Sequence, residues 1–293
     1  MTAAAPRVAS SPLRRSPWRQ PLTRVGGGMV LLVILAALLA GVLAPYPPDR
    51  PLPHGLDAYG MPRPPGAGTL LGTDSLGRDV FSRLLYGARI SLLVGLAAML
   101  TSIGVGVAIG MAAGYFGGAV DTLLMRLTDV MLTFPSLLLA IAWVAVLGPS
   151  ILNVLLVVGL VSWTGIARIV RAQVLSLKER DFVVAARALG ASHARILFRT
   201  LLPNTLPTIG VLATLTTANT VLLDAGLSYL GLGVPPPTPS WGKMVYDAQA
   251  FFLSAPWMTI APATAIVVAV VGFNLLGHGL REALDPHGGR RAR

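Results

Sequence analysis

Few residues in this chain could do chemistry, and their spacing argues against most reactions. Gly242-Lys243 is followed by Met244, and Pro237 stands where a phosphate-binding loop needs its first glycine. Such a loop requires Ser or Thr after the Lys and glycines that let backbone N–H groups approach phosphate, so nucleotide is not bound here. His, Asp and Glu never fall at metal-ligand spacing, cysteine is absent, and no nucleophile–base pair is visible. What remains is a small set of polar residues next to apolar runs. Arg126 and Asp129 are three apart, a spacing that predicts an ion pair on one helix face near the cytoplasmic end. Asp224, Ser228 and Trp241 follow the fifth apolar run and are candidates for a pathway or outer gate, since charge at membrane depth is expensive and often functional. Asp224 could equally cap residues 227–230. Asn274 is expected to bond a neighbouring helix. The last pattern is steric: Ala185, Ala186 and Ala188 precede Gly190, and side chains that small let another protein's backbone come close.

The elements that must position these residues follow from composition. Of 293 residues 54% are hydrophobic, 6% aromatic and 12% charged, against roughly 25% charged in an ordinary soluble domain. Too little polar residue exists to cover so aliphatic a core in water. The chain therefore reads as an all-α, polytopic membrane protein. Its formal charge of +11 raises nucleic-acid binding, but the arginines flank apolar runs instead of lining one face, so no nucleic-acid partner is expected.

A bilayer core takes about 20 apolar helical residues per crossing, and about six such runs are found. Residues 1–25 form a basic cytoplasmic tail and residues 26–44 the first transmembrane helix, stopped by Pro45-Tyr46-Pro47-Pro48. Its apolar core is longer than that of a signal peptide, so it reads as an uncleaved anchor. Residues 45–91 make an extracytoplasmic loop ending in an amphipathic interfacial helix over residues 79–90. Residues 92–280 hold five more spans, near 92–113, 123–147, 151–170, 205–223 and 257–280. Pro135 interrupts the second of these. Residues 281–293 form a cytoplasmic tail. Lys and Arg concentrate on the pieces that face inward if both termini are cytoplasmic, above all on loop 171–203 with Arg171, Lys178, Arg180, Arg187, Arg195 and Arg199.

Loop 171–203 carries the most local signal. Asp181 is expected to N-cap a short helix. Gly190 should end it in the left-handed region, and Ser192 should cap a second helix running to Leu202, before Pro203. An ordinary linker between spans has the same local grammar.

Val184-Ala185-Ala186, then Gly190, then Thr200-Leu201-Leu202-Pro203 resembles the Glu-Ala-Ala loop of binding-protein-dependent ABC importer permeases, with Val184 in place of the leading Glu. Residues 72–79 (Gly-Thr-Asp-Ser-Leu-Gly-Arg-Asp), 114–118 (Gly-Tyr-Phe-Gly-Gly), 227–233 (Leu-Ser-Tyr-Leu-Gly-Leu-Gly) and 274–277 (Asn-Leu-Leu-Gly) are similar to the dipeptide/oligopeptide/nickel branch of that family. The resemblance covers about residues 70–286. It implies a type I ABC importer permease fold in the inner membrane and a non-catalytic subunit forming half of a translocation pathway for dipeptides or oligopeptides. It also implies that Asp181, Val184, Ala185, Ala186, Gly190, Leu202 and Pro203 belong to an ATPase-coupling loop. The implied partners are a homologous second permease subunit, two ATP-binding subunits or domains that hold ATP and Mg, and an extracytoplasmic solute-binding protein. Nickel or another small solute is the alternative cargo. An ion-driven secondary transporter is the rival class, but internal repeats and midplane acids, its usual marks, are not seen.

Overall fold

Proline and glycine decide which apolar runs stay straight. The computed structural model describes residues 20–66 and 68–284, so the tail segments 1–19 and 285–293 lie outside the described residues. Helix α1 (Pro21–Leu38) opens with Pro at its first position and is followed by one turn, α2 (Ala40–Leu43). Residues 45–79 then fold as an ordered loop layer. The Thr73 hydroxyl donates to the Gly55 carbonyl, the Leu52 N–H to the Gly77 carbonyl, and the Trp257 indole to the Thr73 carbonyl at 3.1 Å.

The expected interfacial helix and second span are one continuous helix, α3 (Val80–Phe116), of 37 residues. Asp79 N-caps it by accepting from Ser82 N–H at 2.7 Å. Nothing within it breaks the backbone, and the basic residues that suggested a surface helix, Arg83 and Arg89, bond instead to carbonyls of the preceding chain. Gly117 and Gly118, both at positive φ, turn the chain into α4 (Gly118–Thr133). Pro135 does more than kink the next span: α4 and α5 (Ser136–Leu147) meet at 88°. Helices α6 (Ile151–Ser162) and α7 (Thr164–Leu177) bend by 41° at Trp163.

The loop helices α8 (Asp181–Ala188) and α9 (His193–Arg195) follow. A π-helical turn over Ile196–Leu201 joins α9 without a break to α10 (Leu202–Tyr229). The expected stop before Pro203 is absent. Proline cannot donate to Arg199 and its ring crowds that carbonyl; the wider π turn relieves this, with Leu202 N–H reaching Leu197 O, and the Asn204 side chain takes the Thr200 carbonyl at 2.6 Å. Two-turn α11 (Trp241–Asp247) and α12 (Trp257–Leu284) complete the order. By length and composition α1, α3, α10 with its lead-in, and α12 can each cross a membrane, and counting each of the two bent pairs as one span gives up to six among the described residues.

Helix α3 is the axis, packed on α7, α10, α6 and α1. Gly106, Gly110 and Gly114 form a stripe along it, where a Cβ would meet Ile166, the Ala167 carbonyl and the Arg171 carbonyl. Small residues at that spacing allow the backbone contact that lipid-embedded helices use in place of a hydrophobic drive. Asn274 bonds the Val270 carbonyl of its own helix at 3.0 Å, not a neighbour.

Candidate functional site

One core cluster reaches out of the span layer to seat the loop. Val183, Ile196 and Leu201 are buried with Tyr115, Val170 and Val174, each aliphatic side chain contributing about 1.5–3 kcal/mol. The Tyr115 hydroxyl pairs with His193 Nδ1 at 2.8 Å, tying α3 to α9. Gly190 stands at φ +76°, with its N–H on the Arg187 carbonyl and the Ala191 N–H on the Ala186 carbonyl, both at 3.0 Å. That double bond pattern is a Schellman stop, which requires a left-handed residue where glycine has no Cβ penalty. Ser192 caps α9, its Oγ accepting from Arg195 N–H at 3.3 Å. Asp181 is not the cap: Arg180 occupies that position without a side-chain bond, and Asp181 is the first helical residue, where its charge still suits the helix dipole.

With Val183 turned inward and Ala186 on its flank, α8 and its C-cap present Phe182, Ala185 and Leu189, which with Ala186 are spaced i, i+3, i+4, i+7. Phe182 is 45% and Leu189 87% exposed, and Ala186 is half-buried. Val184 is exposed beside them. Phe182 and Leu189 were not among the expected site residues, although their helical spacing with the alanines was readable. Leu202 and Pro203 lie beyond the π turn at the base of α10.

A groove of about 710 Å³ opens between α5, α10, α11 and α12, lined by Ser136, Leu137, Asn219, Leu223, Tyr229 and Ile266 among others. Its wall is mostly aliphatic. Asp224, Ser228 and Trp241, the expected pathway or gate residues, are not in that lining. Trp241 is buried, its indole N–H donates to the Leu84 carbonyl at 3.0 Å, and its backbone N–H donates to Ser91 Oγ at 3.1 Å. Asp224 and Ser228 are buried one turn apart on α10, and neither Asp224 Oδ1 nor Ser228 Oγ has a partner among the described residues. Asp224 caps nothing, because α10 continues through it.

The predicted Arg126–Asp129 pair does not form. Asp129 bonds Arg168 on α7 at 2.6 Å. Asp121 holds Arg171 through both carboxylate oxygens, with Nη2 at 2.6 Å. These pairs bind α4 to α7, and Lys178 Nζ reaches the Gly114 carbonyl at 3.0 Å. A longer reach across helices won over the local i, i+3 spacing, which sequence periodicity cannot rank.

Long apolar helices, an open groove and a firmly seated loop make up a polytopic membrane bundle. A family model for the binding-protein-dependent transport system inner membrane component matches residues 106–288, and the chain belongs to that family. Relatives include a dipeptide transport system permease protein of Alkalihalophilus pseudofirmus, 41% identical over 92% of this chain and 90% of that protein. A glutathione transport system permease protein of Escherichia coli O157:H7 is 42% identical over 93% and 91%. A di/tripeptide transport system permease protein of Pseudomonas aeruginosa is 42% identical over 89% and 87%. Among solved structures, the inward-facing MetNI methionine ABC transporter covers 69% of this chain and 97% of its own, with TM-score 0.55 and 17% identity. The fold is therefore that of a type I ABC importer permease, in a multi-pass inner-membrane protein.

Proposed function

We propose that this chain is one permease half of an ATP-driven importer, with both termini in the cytoplasm and α8 on the cytoplasmic side. The observation that carries this reading is the exposed set Phe182, Ala185 and Leu189, with half-buried Ala186 beside them, on a helix seated firmly through Val183. An apolar stripe on a short loop helix marks a protein contact, and the contact is the cleft of an ATPase subunit. The groove of α5, α10, α11 and α12 is this chain's share of the pathway, completed by a homologous second permease. Its aliphatic wall offers few fixed polar groups, so an extracytoplasmic binding protein sets specificity. The names of the relatives support peptide-like cargo of the dipeptide to glutathione class.

Proteoliposomes test this directly. The chain alone should take up no labelled dipeptide with or without ATP. The chain with its partner permease, ATPases and binding protein should do so only with ATP. Uptake by the isolated chain without ATP would overturn the reading.

A further inference from the structure

Asparagine occurs at positions 153, 204, 219 and 274, and all but one of these carboxamides are spent on backbone. Asn153 donates to the Leu147 and Gly148 carbonyls, both at 2.9 Å, closing the turn between α5 and α6. Asn204 and Asn274 each donate to the carbonyl one turn earlier in their own helix, Thr200 at 2.6 Å and Val270 at 3.0 Å. Asn219 on α10 has the same local option in the Leu215 carbonyl and does not take it. It is exposed, it lines the groove, and its side chain makes no hydrogen bond among the described residues. Its depth gives that choice weight. At the α-helical rise per residue, Asn219 lies about 15 Å along the axis from Tyr229, where α10 ends. Half of a hydrocarbon core of roughly 30 Å is the same distance.

A carboxamide that faces lipid at this depth forfeits every bond it had with water, which is costly. One that faces a solute in the groove recovers them. The groove's volume of about 710 Å³ falls within the roughly 300–1,000 Å³ of small-molecule sites. Its only other polar side chains are Ser136 and Tyr229, set in a wall of residues such as Leu222, Leu223 and Ile266. A hydroxyl brings a single donor, whereas a carboxamide holds an acceptor and a donor side by side in one plane. In an extended peptide the N–H and C=O of one residue point to the same side, the pair that one antiparallel strand offers another. The Asn219 carboxamide matches that pair. Resting on the proposed function, which makes this groove the pathway, we propose that Asn219 recognises the peptide backbone of the cargo. Its oxygen accepts from a peptide N–H, and its amide nitrogen donates to the carbonyl or carboxylate oxygen of the same cargo residue. Cargo side chains meet aliphatic wall, so this contact selects linear peptides as a class and leaves the choice among them to the binding protein. A solute without a secondary amide gains nothing from it.

The test uses the full complex in proteoliposomes with ATP and saturating binding protein. The binding protein is preloaded with a labelled dipeptide or with its depsipeptide, the ester in which oxygen replaces the peptide N–H. The quantity read is the ratio of the two uptake rates. Wild type should favour the dipeptide about three- to ten-fold, the scale of one neutral hydrogen bond. Asn219→Leu, which keeps the side chain's bulk, and Asn219→Ala should both bring the ratio close to one. Asn219→Gln, which keeps the carboxamide, should retain most of the preference. A wild-type ratio of one, or a preference that persists unchanged in Asn219→Leu and Asn219→Ala, would overturn the proposal. So would loss of copurification with the second permease in both variants and its return in Asn219→Gln, since the amide would then bond the partner subunit and not the cargo. A wild-type complex that takes up neither probe would instead refute the proposed function, so the two fail separately.

Discussion

The two ends of the bundle solve opposite problems. At the α11 end, several donors close within the chain: Thr73, Trp241 and Trp257 each donate to a backbone carbonyl, and Trp241 is buried, while Asp79 Oδ1, Asp224 Oδ1 and Ser228 Oγ are buried without a partner among the described residues. At the α8 end, the backbone is just as well satisfied, through the Schellman stop and the Ser192 cap, yet an apolar face is left uncovered. Rigid backbone with an uncovered side-chain face is what a docking element needs. At the α11 end two indole N–H groups instead fix α11 to α3 and α12 to the loop layer.

The sharpest way to break that contrast is to alter α8. A Cβ on Gly190 meets nothing within 4 Å, so Gly190→Leu suffers only the left-handed φ, about 1–2 kcal/mol. The fold should tolerate that while the loop's exit angle changes. Ala186→Asp puts a charge on the docking face at a cost of a few kcal/mol to association. Both variants should insert and pair with the second permease, but binding-protein-stimulated ATPase activity and uptake in vesicles should fall about ten-fold or more, since 1.4 kcal/mol is one decade. Normal assembly and transport by both would remove residues 181–203 from the coupling role.

At the other end the expected effect is on stability. Trp241→Ala should cost about 3–5 kcal/mol through cavity formation, read as a lower unfolding temperature of the purified protein. Trp241→Phe should cost less, about 0.5–1.5 kcal/mol, through loss of the indole bond to the Leu84 carbonyl, which keeps its bond within α3. Altered uptake at unchanged thermal stability would make Trp241 a gate residue and not a structural one. The smallest effect concerns the α4–α7 link. Arg168→Ala removes a half-exposed ion pair and should cost under about 1 kcal/mol, with Arg126→Ala closer to zero. If Arg126→Ala cost as much as Arg168→Ala, Asp129 would be shared with its own helix after all.

Most of the span pattern was legible because hydrophobic runs and Pro/Gly punctuation are local. Gly190 and Ser192 were legible for the same reason: each answers to its immediate backbone. What escaped the sequence depends on distant groups. Residues 79–90 read as an interfacial helix because Arg83 and Arg89 look solvent-directed, yet their partners are Pro48 and Ala37, far along the chain. Asp129 found Arg168 across the bundle. Pro203 promised a stop, and the neighbouring turn widened instead. Trp241 stands beside a Gly/Pro loop in sequence, and only packing bonds it to α3. The stripe that adds Phe182 and Leu189 to the alanines is written in helical periodicity.

The π turn at Ile196–Leu201 has one more consequence. A π turn holds more residues per revolution than an α turn, so it stores a surplus residue between the loop and α10. That surplus is what carries the chain past Pro203 without a break: an ordinary α turn there would press the proline ring against the Arg199 carbonyl. Deleting one residue from 196–201 would restore that clash, so the continuity of loop and α10 depends on a single overfilled turn.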